Sequence, residues 1–352
     1  TRPAMHRFAF GLVLALWVLG ATCRAQGVFF EHKDWQLVCD NTRTCRAAGY
    51  QADGDEPAVS VLLTREAGRG RAVTGEVMLG PLESTSPRLP PVTLQVGARS
   101  LGRVALAGPE QAVPLTPAQV EAVLDACLHA LDISFVGGGQ RWRLSTAGAA
   151  AALLKMDEAQ GRLNTPGALV RKGTGREDAV LPPAARPVVH AAALPREQAR
   201  DARLVASILP RLRPSPKICP DYSEPAEPAK IWRLDSHRVL FSMRCWLAAY
   251  NTGYGYWVVD DKPPYRPVLV TTDGSDFEPQ TSRIIAMQKG RGPADCFSME
   301  QWVWDGARFV HTASGTTGLC RGVTAGGPWD LPTLVTDVRP PADRRTTEEK
   351  RK

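Results

Sequence analysis

The chain has 352 residues, 43% of them hydrophobic and 22% charged. That is enough apolar material for a core and more chain than one ordinary domain uses. Its Gly and Pro counts, 31 and 29, fall short of a collagen or low-complexity composition. No apolar run reaches the length of about 18 residues that spans a bilayer. A collagen, a coiled coil and a multi-span membrane protein are excluded. The formal charge is +7, but the excess sits at the two ends, in Arg2, Arg7 and Arg24 and in the tail with Arg339, Arg344, Arg345, Lys350, Arg351 and Lys352. A nucleic-acid groove needs its basic residues in the body of the fold, so no nucleic-acid partner is expected.

His6 and Arg7 precede an apolar run from Phe8 to Gly20, followed by Ala21-Thr22-Cys23-Arg24-Ala25. Basic start, short apolar centre and small terminal residue make residues 1–25 a signal peptide, with the mature chain starting near Gln26. No transmembrane anchor is expected after its cleavage. Cys23 is a poor lipidation site, because Gly20 and Thr22 stand where Leu and a small residue are wanted. Export implies a periplasmic or secreted setting, in which most cysteines pair. Beyond Cys23 there are seven: Cys39, Cys45, Cys127, Cys219, Cys245, Cys296 and Cys320. The pairing expected is Cys39–Cys45, Cys219–Cys245 and Cys296–Cys320, each bracketing one local element. Cys127 is left as a buried thiol, because it falls in a helical apolar stripe with Val120, Val123 and Leu124.

Residues 26–174 read as a β-rich domain with two helices. Trp35–Cys39, Ala58–Arg65, Val73–Leu79, Val92–Val96 and Ile133–Val136 are short apolar or β-branched runs separated by Gly, Pro and Asp. Thr116-Pro117-Ala118-Gln119 reads as a capping box opening one helix, and Ala147–Gln160 reads as the other. Residues 175–217 are rich in proline and read as a linker holding a short helix, Arg196–Leu209. Residues 218–337 return to strands and become aromatic, and 338–352 read as a basic disordered tail. The fold class is mainly β with a few short helices, as two disulfide-stapled domains joined by the Pro-rich linker. Ile231–Leu240 and Trp302–Val310 both read as hairpins, Asp305-Gly306 being a turn signal. They are a faint internal repeat, duplicated or coincidental.

Phe30-Glu31-His32-Lys33-Asp34-Trp35, Cys39-Asp40-Asn41-Thr42-Arg43-Thr44-Cys45, Ala151 to Asp157 with Gln160-Gly161-Arg162, and Gly327-Pro328-Trp329-Asp330-Leu331-Pro332 resemble an uncharacterised secreted bacterial family, domain of unknown function 1176. The Trp35-to-Cys45 layout is also similar to invasion-associated locus B proteins. The first resemblance implies export and an envelope setting, and it supplies no catalytic residue.

The residues carry no strong chemical motif. His32, His129, His190, His237 and His311 lie in separate segments and read as surface or structural histidines. There is no Gly-x-Ser-x-Gly elbow and no His-Glu-x-x-His. Acidic clusters at Asp53 to Glu56, Asp157-Glu158, Asp260-Asp261 and Asp273 to Asp276 do not follow a calcium-loop spacing, and Gly137-Gly138-Gly139 leads into a strand, not a phosphate-binding helix. No catalytic residue, cofactor or metal is expected. The feature that points to function is the stretch from Trp246 to Tyr265. Tyr250, Tyr254, Tyr256 and Tyr265 are interleaved there with Gly253 and Gly255, so a Gly-rich connection could hold the rings as a binding surface. The alternative is a hairpin whose aromatics pack in the core. The expectation is an exported, non-enzymatic binding or interaction protein whose partner is an unknown envelope protein or glycan. The other class is an envelope hydrolase acting on glycan or peptide with paired carboxylates.

Overall fold

The computed structural model describes residues 27–81, 91–106, 108, 110–196, 198, 201–212, 217, 219–220 and 227–341. The expected leader at 1–25 and most of the expected tail at 338–352 lie outside them. Among the described residues no helix is long and apolar enough to cross a membrane.

The first sheet is an antiparallel meander. It comprises β1 (Val28–His32), β2 (Trp35–Cys39), β3 (Cys45–Tyr50), β4 (Val59–Arg65), β5 (Val73–Leu79) and the short β8 (Val113–Pro114). A second sheet holds β10 (Gln140–Leu144), β9 (Ile133–Gly137), β6 (Val92–Val96) and β7 (Arg99–Val104), in that order. The two helices α1 (Pro117–His129) and α2 (Ala149–Ala159) complete this half. Trp35, Leu37, Leu63, Phe135, Trp142, Leu153 and Met156 fill the core between these elements. The capping box forms as its residue types dictate: Thr116 Oγ1 accepts from the Gln119 amide at 3.3 Å, and Gln119 Oε1 accepts from the Thr116 amide at 2.9 Å. Cys127 is buried on α1, and loss of water pushes its thiol up to about 12. α2 starts at Ala149, later than expected. Gly148 precedes it, and the Ser145 hydroxyl upstream donates to Asp34 at 2.6 Å.

The second half is layered. Sheet three runs β12 (Lys230–Arg233), β13 (Arg238–Leu247), β14 (Thr252–Asp260), β15 (Val268–Gly274). Sheet four runs β16 (Asp276–Glu278), β17 (Arg283–Lys289), β18 (Phe297–Trp304), β19 (Phe309–Thr316), β20 (Leu331–Leu334). Leu234, Leu240, Tyr256, Phe277, Ile284 and Trp304 pack between the two sheets. On its other face sheet three packs Val239, Phe241, Met243, Trp257 and Val259 against Ile208 and Leu212 of α3 (Asp201–Leu212). The Arg196–Leu209 helix is thus shifted toward the C-terminus. Arg233, fully buried, ties the layers by donating to Asp201 in the first turn of α3 and to Asp261 at 2.8 Å.

The disulfides are Cys39–Cys45, Cys219–Cys245 and Cys296–Cys320. The first joins facing residues of β2 and β3.

The division at 174/175 does not separate two independent cores. The outer face of the first sheet presents Val38, Ala48, Tyr50, Leu62 and Met78, and these are covered by Val323, Trp329 and Leu331 from the C-terminal half. Trp329 Nε1 donates to Ser60 Oγ at 2.7 Å, and Tyr50 Oη accepts from the Leu319 amide at 3.1 Å. Asn41 grips Val335 through both its side-chain oxygen and nitrogen, at 2.7 and 3.1 Å. The expected linker is likewise docked: β11 (Val188–His190) pairs in parallel with β21 (Asp337–Arg339). Val338 and Arg339 therefore belong to a strand and not to a tail. Proline prevents continuous sheet between 175 and 217, yet leaves the chain free to lie along a surface.

The two C-terminal hairpins share a turn. Asp235 Oδ1 accepts from the amides of His237 and Arg238 at 2.8 Å each, and Asp305 Oδ1 from those of Ala307 and Arg308 at 2.7 and 2.8 Å. Each is an Asx turn, in which the carboxylate replaces a backbone acceptor. The turns also touch, because Arg238 donates to the carbonyls of Gly306 and Ala307.

Candidate functional site

The four tyrosines do not form one surface. Tyr250, on the turn between β13 and β14, is exposed. Tyr254 is half-buried and its hydroxyl donates to Glu227 at 2.9 Å. Tyr256 is 3% exposed between the two C-terminal sheets, stacked on Trp232 at 6.3 Å. Tyr265 is half-buried against the α3 side of sheet three. The expectation of a Gly-rich connection is corrected, because Gly253 and Gly255 are interior to β14. A Cβ at Gly253 would collide with the Trp246 indole, and one at Gly255 with the Trp257 ring. These glycines are slots for aromatic rings, which need close backbone approach as much as any turn does.

Replacing Tyr256 by Ala should therefore cost about 3–5 kcal/mol, the range for deleting a buried aromatic. Tyr250→Ala should change the melting temperature by less than about 1 °C. Thermal denaturation of both variants checks this, and equal effects would refute the placement of Tyr256 in the core.

The chemistry-bearing cleft lies next to this region, where β15 and the end of β14 face the β18–β19 hairpin. It has a volume of about 620 Å³, within the range of small-molecule sites. Val258, Val268, Leu269 and Val270 form one wall, and Trp302, Phe309 and His311 form the other. Trp302 and His311 are near-parallel, 5.0 Å apart with a 21° interplanar angle. Both side chains project from one sheet face because Trp302 pairs with His311 across the β18–β19 ladder. The rim carries Arg238, Arg266 and Arg308.

The three arginines differ. Arg238 is held by Asp235 at 2.7 Å and lies 4.7 Å over the Trp304 ring. Arg266 Nε donates to Asp260 at 3.0 Å. Arg308 is exposed, and its guanidinium has no partner among the described residues. None of the three entered the expected site. Their signal in the sequence was the hairpin echo, which aligns Arg308 with Arg238 behind the same Asp-led turn.

The acidic clusters scatter. Asp157 is fully buried in the N-terminal half, where it accepts from the amides of Leu169 and Val170 at 2.7 and 3.0 Å and pairs with Arg65 at 3.5 Å. Burial raises its pKa, against the lowering effect of those donors. Asp53 faces Arg321, Asp260 faces Arg266, Asp261 faces Arg233, and Asp273 accepts from Trp246 Nε1. The histidines are equally dispersed: His129 sits beside Asp125 at the end of α1, His190 is in β11, and His237 is in a turn. Among the described residues no three His, Cys, Asp or Glu side chains converge as a metal site. A second cleft of about 480 Å³ lies at the seam between the halves, beside Glu31, Asp53, Lys289 and Arg321.

Residues 29–336 match the family model described as "Protein of unknown function (DUF1176)". The chain belongs to this family. It is also similar to the uncharacterised protein YpfG of Escherichia coli (strain K12), 26% identical over 301 residues that cover 78% of this chain and 84% of that one. No solved structure matches it. In this DUF1176 chain several residues of the segments that carry the family resemblance make structural contacts. Asp40 Oδ1 accepts from the Thr42 amide at 2.8 Å and its Oδ2 pairs with Arg46 at 2.9 Å, which shapes the Cys39–Cys45 turn. Arg162, fully buried, donates to the Gly68 carbonyl at 2.6 Å. Asn41 and Trp329 fasten the two halves together.

Proposed function

We propose that this is an exported envelope protein, periplasmic or secreted, that binds a ligand without transforming it, and that the cleft between β15 and the β18–β19 hairpin is its binding site. The observation that carries this reading is the cleft itself: an aromatic wall faces an aliphatic wall beneath an arginine rim. Such a mixture of broad apolar contact and a few polar groups is what recognition requires. Three disulfides fit an oxidising compartment.

The hydrolase reading has less support. A glycosidase of the two-carboxyl type needs one acid kept protonated at its working pH. Asp235, Glu278 and Asp295 are instead held below the usual carboxylate range, Glu278 and Asp295 mainly by hydrogen bonds from Arg283 and Arg291, and Asp235 by amide and Arg238 donors that outweigh its burial. Among the described residues the acid that is pushed up, Asp157, is buried in the N-terminal half and away from the cleft.

The test is to incubate the mature protein with fractionated envelope glycans, peptides and lipids, and to follow both retention and turnover. Retention of one fraction without change, lost in Leu269→Arg and kept in Tyr250→Ala, is the expected result. Product formation that Asp260→Asn abolishes would overturn it in favour of the enzyme.

A further inference from the structure

We infer that the ligand of this cleft is an amphipathic monoanion, a small molecule with one acidic head and an aliphatic body. This rests on the binding reading above and adds the chemical class. Val268 and Leu269 are 63% and 42% exposed at the cleft mouth. Apolar surface gains about 25 cal/mol for each Å² removed from water, so an aliphatic body lying along β15 and against Phe309 gains from covering them.

The head group follows from the charges at the rim. Arg238 is matched by Asp235 and Arg266 by Asp260, while Arg308 stands beside them unmatched among the described residues. Asp305, which leads the Arg308 turn, turns one carboxylate oxygen to the amides of Ala307 and Arg308 and makes no ion pair with that guanidinium; a guanidinium fork receives a carboxylate or phosphate oxygen pair in a bidentate geometry. A cationic ligand would be repelled by the unpaired Arg308 guanidinium. A neutral one would gain the apolar contact and nothing from the rim.

An added peptide strand fits less well. β15 is the last strand of its sheet, but its open edge is short. Pro267 precedes it, and beyond Val270 the edge is covered, Asp273 accepting from Gln288 Nε2 at 2.9 Å and Ser275 donating to the Ile285 carbonyl at 2.7 Å. Strand addition draws its affinity from a longer row of backbone bonds.

Decanoate, decanol and decyltrimethylammonium have alkyl tails of nine or ten carbons and heads of different charge, so calorimetric titration of the three below their aggregation thresholds tests the class. Decanoate should bind at least tenfold more tightly than decanol, and the ammonium should not bind. Arg308→Ala should remove the advantage of decanoate, about a tenfold loss, while leaving decanol affinity and the melting temperature unchanged. Phe309→Ser should weaken both decanoate and decanol. Equal binding of decanoate and decanol, or an unaffected Arg308→Ala, would overturn the anionic class and leave the cleft as an apolar site. If the protein instead retains an envelope fraction through Leu269 and takes none of the three probes, the class fails while the binding reading stands. A peptide fraction retained in this way would mark the strand-addition mode.

Discussion

Arg233→Met should unfold the C-terminal half more readily than any surface change, at a cost of about 3–5 kcal/mol, which is typical of removing one partner from a buried ion cluster. Arg233 is fully buried, and its guanidinium lies between Asp201 and Asp261, whose side chains are 5% and 6% exposed. Hydrogen bonding to Asp201 raises its pKa, so it stays charged across all accessible pH. Methionine fills the stem but leaves two carboxylates close together in a site of low polarity. A melting temperature lower by on the order of 10 °C is the expected reading. Arg176→Met, which removes an exposed partner of Asp178, is the control and should change little. Replacing Asp201, Arg233 and Asp261 together by Leu, Met and Leu should recover much of the loss, because uncharged packing avoids the desolvation penalty. If Arg233→Met melts within about 2 °C of the native protein, α3 is held by its apolar contacts alone.

Trp329→Ala should have an effect of the same size at the other end of the molecule. Its indole is 7% exposed against Val38, Tyr50, Leu62 and Met78, and its nitrogen donates to Ser60. Truncating a buried Trp costs about 3–5 kcal/mol. Trp329→Phe keeps most of the packing and loses the hydrogen bond, so it should cost nearer 1 kcal/mol beyond the change in ring size. Limited proteolysis separates this from a general loss of stability. Trp329→Ala should become cleavable between Thr317 and Val335 under conditions where Arg233→Met is cut near α3. Equal resistance of Trp329→Ala and native protein would mean that the C-terminal segment holds without its tryptophan.

Local features were readable from the residues, and long-range ones were not. Thr116 and Gln119 specify a capping box within four positions, and the structure contains it. The bracketed cysteines lie at 6, 26 and 24 residues' separation, close enough for one element to bring each pair together. In contrast, Trp329 meets Ser60 across 269 positions, and no local pattern marks a tryptophan as the cover of a distant sheet. Its trace is only indirect: every residue of Trp35–Cys39 is buried, which is expected where both sheet faces are covered. Gly253 and Gly255 were misread because glycine permits a turn and a close ring approach equally, and sequence alone does not tell the two apart. The cleft was missed for a related reason. Val268, Trp302 and His311 belong to three different strands and Arg308 to a turn, and only the packing of two sheets makes Val268 their neighbour.

The segment from Val323 to Leu331 covers the first sheet, and this constrains the order of events as the chain is made. Synthesis delivers the N-terminus first, and domains tend to fold in that order. Here β2, β3 and β4 can pair as soon as they emerge, but the face bearing Val38, Tyr50 and Leu62 has no cover until Trp329 and Leu331 arrive. From the emergence of β4 until Trp329 is made, the nascent chain therefore carries a bare apolar sheet face, a surface that invites aggregation or a holding chaperone. A message truncated before Trp329 would leave that face exposed permanently.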